Sequence, residues 1–225
     1  MPNHVSESAL TDTLTPLEEV RGQIPALKAG DIILIHIKRS LLRSLIRRVT
    51  KSYWDHVTAI VYPKDNDKLQ QSIIIENINP GLSVDYYFLR SALRGTEIHH
   101  LNKYLNNPKK YDIGIKRVSW LTDAHRKRLS SFLVTTIDTP YWPMPYWKFF
   151  LASIWPKFRR WFLHQQRWSC STLVQMAYYE SAANWEERLK LIFKEGDLSP
   201  LEMQSIVSPA EIANSDKSQW IFNEH

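Results

Sequence analysis

Three short runs of β-branched and apolar residues constrain this chain most. They are GDIILIHI at 30–37, HVTAIVY at 56–62 and QQSIIIEN at 70–77. Each is too short for a stable helix and is bounded by turn residues, the pattern of a buried strand. Gly30-Asp31 opens the first as a turn signal, and the polar stretch Pro63 to Lys68 joins the second and third as an antiparallel hairpin. Further short strands are expected at 83–88, 95–101 and 113–119. Helices are expected at 40–51, at 122–137 with Thr122 as cap, and at 170–183 with Ser169 as cap. The tail 186–225 reads as one helical stretch, then loops and a short helix after Ser208-Pro209. No repeat, low-complexity stretch or linker divides the chain. The reading is one α+β domain over 25–225, its antiparallel sheet packed against helices, preceded by a polar, mobile leader at 1–24.

Composition removes several function classes. Six glycines among 225 residues supply no GxGxxG or GxxxxGK[ST] loop for a nucleotide phosphate. The single cysteine, Cys170, excludes an internal disulfide and a Cys-pair zinc site, and no HExxH spacing occurs. No metal or cofactor is expected. The formal charge is +6, but it is unevenly placed. Residues 38–51 carry Lys38, Arg39, Arg43, Arg47, Arg48 and Lys51 with no acid, and the first twenty carry four acids with no Lys or Arg. Such patches point to an anionic partner or surface. No signal peptide and no spanning apolar run is visible, so a cytoplasmic protein with peripheral membrane association is the expectation.

Cys170 stands at a predicted helix start, just before Leu173, Val174, Ala177 and Tyr178, which share one helical face. Unpaired N–H groups and the positive end of the helix dipole favour a thiolate there. An inert, buried thiol is the competing reading. A reactive thiol needs a base, and His56 opens the second strand. A third group should orient that base. A hairpin turn centred on Asn66 makes cross-strand numbers sum to 132. That sets His56 opposite Glu76 on one face, and a slip of one residue would substitute Asn77.

With these pieces in place, the chain resembles the circularly permuted NlpC-type papain-like cysteine hydrolases of the YiiX/YaeF group. The resemblance rests on Leu27-Lys-Ala-Gly-Asp-Ile-Ile33, Tyr53-Trp-Asp-His-Val-Thr-Ala-Ile60, Ile75-Glu-Asn77, Ser169-Cys-Ser-Thr-Leu-Val174 and Val207-Ser-Pro-Ala-Glu-Ile-Ala-Asn214. It implies a permuted papain-like fold in which His precedes Cys. It also implies that Cys170 is the nucleophile, His56 the base and Glu76 the orienting group. The lecithin:retinol acyltransferase-like group shares the permuted order but commonly places a His third, so Glu76 favours the YiiX/YaeF side. Relatives often carry an aromatic residue directly before the Cys. Here that position is Ser169, with Trp168 one further back.

Residues 139–168 interleave Trp142, Trp147, Trp155, Trp161 and Trp168 with Lys148, Lys157, Arg159, Arg160 and Arg167. Rings beside cations suit an anionic membrane interface. They equally suit core-filling tryptophans with solvated arginines, and stacking on nucleic acid is the weakest of the three. The resulting expectation is a thiol hydrolase or acyltransferase. It would cleave an amide or ester bond through a Cys170 acyl-thioester, on a small-molecule, lipid, lipid-linked or peptide substrate. The rival is a noncatalytic lipid-binding module that keeps the fold.

Overall fold

The computed structural model describes residues 22–38, 47, 52–77, 95–139, 169–195 and 207–225. The expected strand at 83–88, the leader up to residue 21 and nearly all of the 40–51 and 139–168 segments lie outside these residues. Six antiparallel strands form one sheet: β1 Ile32–Ile37, β2 His56–Tyr62, β3 Ile73–Asn77, β4 Thr96–His100, β5 Tyr111–Arg117 and β6 Gln219–Asn223, in the order β4-β3-β2-β1-β5-β6. The three β-branched runs are therefore the middle of the sheet. Isoleucines 32, 33, 35, 60 and 74 are fully buried there, because a central strand has both faces covered.

Alternation along the strands divides the core into two layers. Ile32, Leu34, Val57, Ala59 and Ile75 face helices α2 (Asp123–Thr135) and α3 (Cys170–Ser181), with Leu129, Leu133, Leu173, Val174, Ala177 and Tyr178 filling the gap. Ile33, Ile35, Ile60, Ile74 and Ile113 face the other way. They pack with Ile24, Leu27, Leu101 and Tyr104, the last on the short helix α1 (Asn102–Leu105). Ile24, inside the stretch read as leader, is thus part of the core.

Helix starts follow local chemistry. Thr122 caps α2 in a capping box with His125, and the Ser169 hydroxyl accepts the Thr172 N–H at 3.2 Å to cap α3. Asn184 caps α4 (Trp185–Lys190), and Ser208 with Glu211 forms a second capping box at α5 (Pro209–Asn214). The Gly-Asp turn is bound from several sides. Gly30 takes a φ of +84°, which a residue without Cβ adopts at little cost, and its carbonyl accepts the Tyr178 hydroxyl. Asp31 is buried and receives Arg117 through Nε at 2.7 Å and Nη2 at 2.6 Å. Lys116 is fully buried in the sheet. Its ammonium donates to the carbonyls of Ile212, Ala213 and Ser215, which fastens the C-terminal end of α5 to β5.

Two local expectations change. The third strand starts at Ile73, because Asn66–Gln71 forms a 3₁₀ turn. These polar residues gain nothing from a pleated, buried position. β6 was not anticipated. Its residues are exposed or half-exposed, and it pairs with a strand about a hundred residues earlier, so neither strong alternation nor a local turn marks it.

Gly114 lies in β5 beneath two indoles. A Cβ there would stand 2.6 Å from the Trp220 ring and 2.7 Å from that of Trp54. Trp54 is buried and cannot retreat, so Gly114→Ala is expected to cost about 1–3 kcal/mol through overpacking. Urea unfolding monitored by tryptophan fluorescence measures it, with a fall in midpoint at constant slope as the expected outcome.

Candidate active site

The order of the chain places a histidine, a carboxylate and a cysteine at one end of the sheet. His56 is the first residue of β2. Its entry is fixed by the preceding Asp55, whose carboxylate accepts the Ile37 N–H at 2.8 Å and Arg47 at 2.9 and 3.0 Å. Trp54 anchors the same turn by packing into the core. Glu76 lies near the end of β3, 0% exposed. Cys170 is the first residue of α3, half-buried against the helical layer of the core.

These three side chains meet. His56 Nε2 lies 2.6 Å from Glu76 Oε2, and a side-chain hydrogen bond joins the same ring to Cys170. With Nε2 committed to the carboxylate, Nδ1 is the nitrogen left for the thiol. Glu76 and His56 share the face of Ile60 and Ile74, whereas α3 covers the opposite face. The contact is possible because His56 ends its strand, where both faces open onto the helix start.

The pairing differs from the simple hairpin arithmetic. Ala59 pairs with Ile75 and Ile60 with Ile74, so the sum is 134. A bulge at Val61, whose carbonyl accepts the Ser130 hydroxyl at 3.1 Å, adds a residue before Tyr62 pairs with Ile73. Glu76 is therefore diagonal to His56, directly beside Thr58. A shift of two residues preserves the face, which is why the same carboxylate reaches the same imidazole. Asn77 turns to the other face and donates to the Thr96 hydroxyl at 3.3 Å.

Sequence reasoning missed two members of the site. Lys103 Nζ lies 2.6 Å from Glu76 Oε1, and the Tyr104 hydroxyl donates to Oε2 at 2.5 Å. Both come from the four-residue α1, and no spacing rule ties that turn to a strand some 27 positions earlier. Among the described residues, three other histidines make these contacts. His36 stacks on Tyr53, and His125 bridges the α2 cap to Glu187 at 3.0 Å. His99 pairs with Glu97 at 3.0 Å and stands 3.9 Å from Glu76.

Burial alone would lower the His56 pKa. The Cys170 sulfur and then the Glu76 carboxylate outweigh it and raise the pKa to about 9. Burial alone would raise that of Glu76. The hydrogen bond and charge of His56, followed by Lys103, hold it down at about 2. Both groups are thus charged at neutral pH.

Residues 26–222 match the permuted papain-like amidase enzyme family YaeF/YiiX, C92. The chain belongs to that family. It is an enzyme of the cysteine-hydrolase class, with a permuted papain-like α+β fold. No curated protein matches the chain. Among the described residues, no helix is long and apolar enough to cross a membrane.

The two shifts define a stability window. From its ordinary 6.5, His56 rises to about 9 on folding, so its contribution is complete below pH 6.5 and lost as pH rises through 9. From 4.5, Glu76 falls to about 2, so its contribution is complete above pH 4.5 and lost as pH falls through 2. The pair therefore stabilises most between pH 4.5 and 6.5. Chemical unfolding across about pH 3 to 10 should show this maximum, and Glu76→Gln should remove its acid side and only reduce its alkaline side, which Cys170 also sustains.

Proposed function

We propose that Cys170, His56 and Glu76 work as nucleophile, base and orienting carboxylate in the hydrolysis of an amide or ester bond. The observation that carries this is the single imidazole bonded on one side to the thiol and on the other to a buried carboxylate. A noncatalytic lipid-binding module would have no use for a buried charge relay of this kind.

At neutral pH His56 already holds the proton that Cys170 gives up, and Glu76 stabilises this imidazolium beside the thiolate. The thiolate attacks the carbonyl carbon. A C–S bond forms, and the carbonyl electron pair moves to oxygen. Backbone N–H groups of the first turn of α3, at the positive end of its dipole, stabilise that oxyanion. The intermediate then collapses. The bond to the leaving amine or alkoxide breaks, the leaving group takes the proton from His56, and an acyl-thioester remains on Cys170. Neutral His56 next deprotonates water, which attacks the thioester; the C–S bond breaks, the carboxylic acid leaves, and the Cys170 thiolate and protonated His56 are restored. An amine or alcohol in place of water would make the same site an acyltransferase.

The substrate reading rests on the composition of 139–168. Five tryptophans and five cations next to the nucleophile in sequence suit a lipid or lipid-linked substrate at an anionic membrane surface. A peptide substrate is the alternative. Acyl-lipids screened against peptide amides distinguish them, and co-sedimentation with anionic against neutral liposomes tests the surface. Equal failure to bind both would remove the membrane contact.

Three substitutions test the chemistry. Cys170→Ala should reduce turnover to background. Glu76→Gln should lower kcat on the order of a hundredfold by withdrawing the charge that favours the imidazolium. Iodoacetamide should alkylate Cys170 near neutral pH faster than free cysteine, and His56→Ala should remove that advantage. A Cys170 that reacts like free cysteine, whatever residue occupies position 56, would overturn the assignment.

A further inference from the structure

Glu76 is completely buried, and a carboxylate in that position cannot be held by one imidazole alone. Its oxygens are divided among distinct donors, and the His99 ring on β4 stands 3.9 Å from Oε1. Oε2 accepts from both His56 Nε2 and the Tyr104 hydroxyl, at 2.6 and 2.5 Å, and Oε1 faces the Lys103 ammonium at 2.6 Å. Tyr104 is 3% exposed and wedged edge-on against Tyr111, so its hydroxyl has little freedom to turn away. The Lys103 side chain is 30% exposed and lies beside the Tyr104 ring. These donors come from a turn of helix on the face of the sheet away from Cys170.

We propose that Lys103 and Tyr104 are positioning residues for the reaction, acting through Glu76 on His56. This rests on the Cys170–His56–Glu76 reading and extends it by one layer. Tyr104 fixes the plane of the carboxylate so that Oε2 meets His56 Nε2. Lys103 holds Oε1, so the carboxylate cannot rotate and exchange its oxygens. Its positive charge also draws down the electron density that Glu76 offers the imidazolium. The two residues have separable consequences. Loss of the Tyr104 hydroxyl loosens orientation without changing charge. Loss of the Lys103 charge makes Glu76 more basic, which strengthens its hold on the His56 proton.

The experiment follows the His56 ring by NMR titration, with the signal assigned through His56→Ala, beside the rate of Cys170 alkylation by iodoacetamide and turnover of 4-nitrophenyl acetate. Lys103→Met keeps the aliphatic stem and removes the charge. The His56 titration should move to higher pH by roughly half a unit or more, and Lys103→Arg should restore it. Tyr104→Phe keeps the ring and removes one oxygen. Alkylation and turnover at neutral pH should fall roughly tenfold, while KM changes by no more than about twofold. A purely structural role would shift the melting temperature and leave the His56 titration in place. An unchanged titration in Lys103→Met together with unchanged alkylation in Tyr104→Phe overturns the proposal. Wild-type turnover of 4-nitrophenyl acetate by Cys170→Ala would instead overturn the underlying reading, so the two failures are distinguishable.

Discussion

Glu76 has no contact with water, yet it is ionised, and the neighbouring architecture follows from what that requires. Desolvating a carboxylate is costly, and the cost is offset only by donors held in place around it. His56, Tyr104 and Lys103 are those donors. They come from two separate pieces of the chain: the first residue of β2 and two consecutive residues of α1. The sheet must bring β2 and β3 together in one register, and the turn after β4 must fold back across β3. A thiol hydrolase with these parts therefore depends on a buried ionic contact before it depends on any property of its cysteine.

The second constraint is that the site is assembled across the sheet. The helical layer supplies Cys170, and the opposite layer supplies Glu76 and its partners. Only a residue at the end of a strand can address both, and His56 occupies that position. This explains why the preceding residues are held so firmly. Asp55 is tied to β1 and to Arg47, and Trp54 is locked against Gly114 and Trp220. Small displacements of the β2 entry would move the imidazole relative to both partners, and acyl transfer tolerates little misplacement of its proton carrier.

Much of this was legible in residue patterns. The β-branched runs located the three central strands, and Thr122, Ser169 and Ser208 marked helix starts that the structure places at the same positions. Cys170 could be assigned to the first turn of a helix because Ser169 and the following apolar face are local signals. The register of the hairpin was not legible to the residue. The 3₁₀ turn at 66–71 and the bulge at Val61 changed the sum from 132 to 134. Glu76 survived that error because a two-residue shift keeps the same face of the sheet. β6 was hidden because its partner is distant in sequence and its exposure is mixed.

What the sequence determined by itself were properties carried by neighbours along the chain: strand runs, caps, the lone thiol at a helix start, and the order of His before Cys that marks the permuted arrangement. What only the tertiary structure decided was which groups share a buried charge. Lys103 and Tyr104 look like ordinary surface and core residues in a short polar stretch, and His99 looks no less suited to chemistry than His56. Their roles separate only when the fold fixes distances of a few ångströms between segments tens of residues apart. Electrostatic coupling depends on those distances and on burial, and neither is a function of position along the chain.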